Sequence, residues 1–132
     1  MKTPELGREG RYVVRTGPEH TAQSFGNPGV VAISSVTLIA AIESACGDAI
    51  WELHDEGEAT VGVGFDLTHL APAPAGAEIE ARARLVAVDG RKLDFEAEAR
   101  HGETVLMKGR HRRAVIDLSR FLERDTMRSP PS

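Results

Sequence analysis

Cysteine is almost missing from this sequence, and so are the larger aromatic residues: Cys46, Trp51 and Tyr12 are single occurrences among 132 residues. One cysteine excludes an internal disulfide and every multi-cysteine zinc pattern. On an apolar stretch it reads as a small core side chain rather than a nucleophile. Positive charge is not in excess either. The formal net charge of −4 gives no general pull toward nucleic acid or an anionic membrane, and no DNA-binding helix pair is present. Long apolar runs are absent, since the stretch from Val36 to Ile42 falls far short of the ~20 residues that span a bilayer. The opening "MKTPELGREGRYVV" is polar and holds no signal core, so the expectation is a cytoplasmic protein with neither membrane nor nucleic acid as partner.

What is present suits one globular domain. Apolar residues make up 41% and charged residues 27%, both ordinary for a soluble protein. The chain is long enough for one core and too short for two, so residues 1–124 form one expected domain and 125–132 an expected disordered tail. "RYVVRT" (11–16) reads as a short strand, and "GPEHTAQSFGNPG" (17–29) as an irregular, mobile connection. A helix then begins at a hydroxyl N-cap, Ser34 or Ser35, and persists to about Leu53. Apolar residues lie on nearly all its sides, which predicts burial. Within it, "LIAAIESAC" (38–46) places the carboxylate of Glu43 among apolar and small neighbours. Burial without a partner would cost several kcal/mol or force protonation, so Glu43 requires an explanation.

Beyond Glu58 the period falls to two. "TVGVGFDLTHL" alternates with Val61, Val63, Phe65, Leu67 and His69 on one face, which points His69 toward the helix. "AEIEARARLVAV", "KLDFEAEAR" and "TVLMKGRHRRAVIDL" follow as strands, with a hairpin signal at Asp89-Gly90. "SRFLER" adds one helical turn. The order is strand, long helix, then four antiparallel strands, an α+β layout. It is the topology of the hotdog fold, an antiparallel sheet wrapped around one central helix. A single sheet covers only part of such a helix, so a homodimer, or a dimer of dimers, is expected.

Five stretches, "PEHT" (18–21), "AISSVTLIAAIESAC" (32–46), "VGVGFDLTHLAPAPAG" (61–76), "VDGRKLDF" (88–95) and "GRHRRAVIDL" (109–118), occur in an order that resembles the fluoroacetyl-CoA thioesterase-like group of hotdog thioesterases. The resemblance implies hydrolysis of acyl-CoA thioesters to CoA and a carboxylic acid, with acyl-CoA as substrate and neither cofactor nor metal. It places the family's active-site hydroxyl, usually Thr, at Ser35, with Ser34 as the competing position. The helix carboxylate falls at Glu43, the histidine at His69, a glycine at Gly62 and an arginine at Arg113. His20 is either a substrate contact or a solvated loop residue.

Two readings of Glu43 stand: general base or nucleophile, or structural partner of Arg113. In the first, His69 relays a proton, Ser35 donates to the thioester carbonyl and Gly62 opens backbone access. Ser35 and Glu43 are eight residues apart, about 12 Å of helical rise, so they cannot bond each other directly. The "VGVG" run at 61–64 suits either close backbone approach to a thioester or a bulge or tight packing against the helix. Period two puts Lys108, Arg110 and Arg112 on one face, read as a solvated strand face ahead of a site for CoA phosphates, and His111 with Arg113 on the other. Rival readings are a non-catalytic acyl-CoA-binding protein and a hotdog dehydratase or hydratase. The acyl group is not legible: Phe25 is the bulky residue beside Gly26, Pro28 and Gly29, and nothing there supports a fluoroacetyl preference over a short or medium chain.

Overall fold

The computed structural model describes residues 1–128, with side chains to residue 123. Its elements are β1 (Glu9–Arg15), α1 (Ser35–Ile50), β2 (Glu58–His69), β3 (Glu78–Asp89), β4 (Lys92–His101), β5 (Thr104–Asp117) and α2 (Leu118–Arg128). The five strands form one antiparallel sheet in the order β1-β3-β4-β5-β2. The hotdog arrangement follows, with α1 laid across the inner face. Two-residue connections join β3 to β4 and β4 to β5, because Asp89 pairs with Lys92 and His101 with Thr104.

α1 packs through Leu38, Ala41, Ile42, Ala45, Ala49 and Ile50, all essentially excluded from solvent. The alanines have a purpose. A side chain at Gly10 would overlap the backbone of Ala45 and Ala49, so β1 meets the helix backbone to backbone. From the sheet, Ile79, Leu85, Leu93 and Phe95 close the other side of this core. Truncating one of the large members to Ala costs ~2–5 kcal/mol, the usual range for a buried aliphatic or aromatic side chain.

Three expectations are corrected. The helix is not covered on nearly all sides: Ser35, Val36, Ala40, Ser44 and Asp48 are exposed along one stripe, because the sheet covers only the opposite face. The connection after β1 is tied down rather than irregular. It holds 3-10 turns at Pro18–His20 and Gln23–Phe25, and backbone bonds from Ala22 to Ala32 and from Ser34 to His20 lace it to the start of α1. Finally, α2 runs through Arg128, beyond the single expected turn; residues 129–132 of the expected tail lie outside the described residues.

The outer face of the sheet carries the charge. Across all five strands, Glu9, Arg84, Glu96, Arg110 and Asp66 sit in one row of alternating sign. Arg112 engages Asp94 with two hydrogen bonds of 2.7 and 2.9 Å. This is the solvated face expected for Lys108, Arg110 and Arg112, and such cross-strand pairs favour one register over its neighbours.

Candidate active site

Ser34 and Ser35 have different surroundings. Ser34 is the N-cap of α1: its buried hydroxyl accepts the Thr37 N–H at 3.0 Å and lies 2.9 Å from Thr37 Oγ1. That is the ordinary work of a cap. Ser35, one residue on, faces outward with its Oγ 2.8 Å from His69 Nδ1. His69 Nε2 lies 3.1 Å from the Ala71 carbonyl oxygen. A carbonyl only accepts, so Nε2 carries the proton and Nδ1 accepts from the Ser35 hydroxyl. The first N–H groups of α1, at Ser35 and Val36, have no partner within the helix.

Two turns along α1, Glu43 meets Arg113. Nη1 of Arg113 donates to Glu43 Oε2 at 3.2 Å. The arginine side chain is 11% exposed and the glutamate side chain 38%. The expectation of a buried carboxylate is therefore corrected: Glu43 looks out of the uncovered stripe, and the contact with Arg113 that the sequence offered is present. Among the described residues, Oε1 has no hydrogen-bond partner. Arg113 itself is held by Thr60, with Nε donating to Oγ1 at 3.2 Å and Nη2 to the carbonyl at 2.9 Å.

The alternation expected through 61–69 breaks at Val63. β2 shifts register against β5 between Gly62, opposite Arg113, and Gly64, opposite Arg112. Gly62 rather than Val61 or Val63 thus faces inward, while Phe65, Leu67 and His69 recover the inner face beyond the bulge. A Cβ at Gly62 would lie 2.8 Å from Glu43 Oε2 and 2.9 Å from His111 Cε1. The "VGVG" run forms a bulge and packs tightly against the helix, with Gly62 set against the Glu43 carboxylate.

The fold brings Ser35 to His69, and Gly62 and Arg113 to Glu43. It leaves the ring of His20 elsewhere. His20 Nδ1 accepts the Gly17 N–H at 2.9 Å, and its backbone carbonyl takes the Ser34 N–H and the Thr37 hydroxyl. His111, given no role in the sequence, lies wholly buried against this cluster. The signal for it was present, since period two places it on the face of Arg113. Cys46 is a core residue, and burial, opposed in part by Arg113, pushes its thiol up to about 12.

An antiparallel sheet around a central helix defines a hotdog protein, here with a helix carboxylate and a Ser–His pair on the uncovered side. The chain belongs to the fluoroacetyl-CoA-specific thioesterase family, whose model matches residues 17–119. It is 31% identical over 93 residues to the fluoroacetyl-CoA thioesterase of Streptantibioticus cattleyicolor, covering 70% of this chain and 67% of that protein. A mutant of the fluoroacetyl-CoA thioesterase FlK solved in complex with acetyl-CoA superposes with a TM-score of 0.91 at 26% identity, over 96% of this chain and 100% of that one. A thioesterase superfamily member from Thermus thermophilus shares the fold, with a TM-score of 0.87 at 22% identity over 97% of each chain.

Proposed function

We propose that this protein hydrolyses acyl-CoA thioesters to CoA and a carboxylic acid, with Glu43 as the reacting carboxylate. The observation that carries this is the one-sided anchoring of Glu43: Oε2 is held by Arg113, and Oε1 is open toward the uncovered stripe. With Oε2 engaged by Arg113, Oε1 is the oxygen left to take a proton from water or to attack carbon.

In the water pathway, Glu43 removes a proton as the water oxygen bonds the thioester carbon. The carbonyl electrons move to oxygen, where the free N–H groups at the start of α1 and the positive end of its dipole stabilise them. Collapse breaks the C–S bond and releases the thiolate, a good leaving group that needs no metal. The Ser35–His69 pair supplies and receives protons beside the carbonyl. At rest the Ser35 hydroxyl donates to His69 Nδ1, so it can donate to a thioester carbonyl only after turning its single hydrogen away from that ring.

That same 2.8 Å contact supports a second reading, in which Ser35 is the nucleophile and His69 its base. The two separate by experiment. Free-thiol release should be measured over a panel of acyl-CoA esters for the wild type, Glu43→Ala and Ser35→Ala. The Glu43 reading expects a loss of at least about 100-fold in Glu43→Ala, and wild-type turnover by a folded Glu43→Ala protein would sink it. A burst of covalent acyl-enzyme lost only in Ser35→Ala would favour the second.

We also infer a homodimer, because β2 is an edge strand with Val63 and Phe65 exposed and α1 leaves Val36 uncovered beside it. A cytoplasmic location goes with a CoA-ester substrate. No helix among the described residues is long and apolar enough to cross a membrane.

A further inference from the structure

Among the described residues, His111 is a buried titratable group beside Arg113 that the proposed chemistry does not use. Its ring stacks on Phe65, with centroids 4.4 Å apart and planes 26° from parallel. Nδ1 lies 2.8 Å from the Gly64 carbonyl oxygen, and Nε2 lies 3.1 Å from Arg113 Nη1. The Gly64 carbonyl must accept and the Arg113 guanidinium must donate, so the ring is the neutral Nδ1–H tautomer with a lone pair on Nε2. An imidazolium would set an N–H against an N–H.

The arginine's hydrogens can then be assigned one by one. Nε goes to Thr60 Oγ1 and one hydrogen of Nη2 to the Thr60 carbonyl. The two on Nη1 divide between Glu43 Oε2 and His111 Nε2. Arginine ordinarily grips a carboxylate with two parallel hydrogen bonds, which would occupy both oxygens. Here the Thr60 carbonyl engages Nη2 and His111 takes the spare Nη1 hydrogen.

We propose that His111 is a positioning residue for the reaction: it holds Arg113 so that Glu43 is anchored through Oε2 alone and Oε1 stays available to water or substrate. This rests on Glu43 being the reacting carboxylate. His111 touches neither substrate nor the reacting atoms; it acts through Arg113.

Two near-isosteric substitutions separate this role from a structural one. In His111→Gln, the amide oxygen reaches the place of Nε2 and can accept from Arg113, while the bond to Gly64 is lost. In His111→Asn, the amide nitrogen reaches the place of Nδ1 and can donate to Gly64, while the acceptor for Arg113 is lost. With acyl-CoA ester and free-thiol detection, kcat of His111→Asn should fall about tenfold with KM within about twofold, while His111→Gln stays within about threefold of wild type. Melting temperatures are taken on both. Equal kcat in the two variants, or loss that follows melting temperature alone, would overturn the inference.

Glu43→Gln is assayed beside them. If it turns over like wild type, the Glu43 reading falls and this inference with it. If it is inactive while the two His111 variants match, this inference alone falls. Should either variant fail to fold, the ring 15N shifts of wild-type His111 decide. A protonated Nδ1 and bare Nε2 between about pH 6 and 8 support the assignment, and the opposite tautomer or an imidazolium overturns it.

Discussion

A side chain at Gly62 would place its first carbon 2.8 Å from Glu43 Oε2, closer than a real Cβ comes to a neighbouring atom. The absence of a side chain on β2 is therefore what lets the helix carboxylate lie against the sheet beside Arg113. His111 Cε1 at 2.9 Å and Phe65 Cζ at 3.1 Å crowd the same position, so a methyl there would have to push aside the end of the Glu43 side chain and these two rings.

Gly62→Ala should accordingly displace Glu43 and lower kcat/KM by at least about tenfold, with a stability loss of ~1–3 kcal/mol from overpacking. Gly64→Ala is the control. Its Cβ would meet Arg112 Cβ at 3.5 Å, an ordinary contact, and activity should change less than about twofold. Steady-state kinetics and urea unfolding on both variants check the contrast. Equal effects would mean that the approach at Gly62 has no special consequence.

The adjacent serines should divide stability from turnover. Ser34→Ala removes the N-cap of α1 and should cost ~1 kcal/mol, read as a lower urea midpoint, with kcat near wild type. Ser35→Ala removes an outward hydroxyl bonded to His69, so it should leave the midpoint unchanged and lower turnover. The reverse pattern would return the active-site hydroxyl to Ser34.

Arg113 should matter more to folding than its acidic partner does. Arg113→Met loses bonds to Thr60, His111 and Glu43 together and should destabilise by ~2–4 kcal/mol. Glu43→Gln keeps an acceptor at a side chain that is 38% exposed, and should change stability by less than ~1 kcal/mol while abolishing turnover. Thermal melts beside activity assays test the split; a large loss of stability in Glu43→Gln would mark the pair as structural.

Acid should destabilise the fold through His111. Burial lowers its affinity for a proton; the Gly64 carbonyl works against this, Arg113 adds to it, and Glu43 also opposes it. Below the ordinary histidine value of about 6.5, the unfolded chain therefore binds a proton that the folded chain does not, and stability falls as pH falls. Unfolding free energy measured between about pH 7 and 5 should drop more steeply in the wild type than in His111→Gln. Parallel slopes would show that His111 does not contribute.

Much of this protein is legible in the residues alone. The period of two from Glu58 onward, the hairpin at Asp89-Gly90 and the single long apolar helix follow from local backbone geometry, and their order determines an antiparallel sheet around α1. The charged and apolar faces of β5 follow from the same alternation, which put His111 and Arg113 together. What alternation could not carry was the bulge at Val63. One extra residue exchanges the faces of a strand, so the inward position passed from Val61 to Gly62, and only the pairing of β2 with β5 revealed it.

The same holds for the site. The sequence offered Glu43 as a buried carboxylate because its neighbours along the helix are apolar; in space it faces the stripe the sheet does not reach, where solvent and Arg113 replace that neighbourhood. Ser34 and Ser35 are equivalent by type and separated by about 100° of helix, which turns one into a cap and the other toward His69. Hydrophobic periodicity is a property of neighbours in the chain and determined the fold. The hydrogen-bond partners Glu43 and Arg113 lie 70 residues apart, and only the closed tertiary structure decided their pairing.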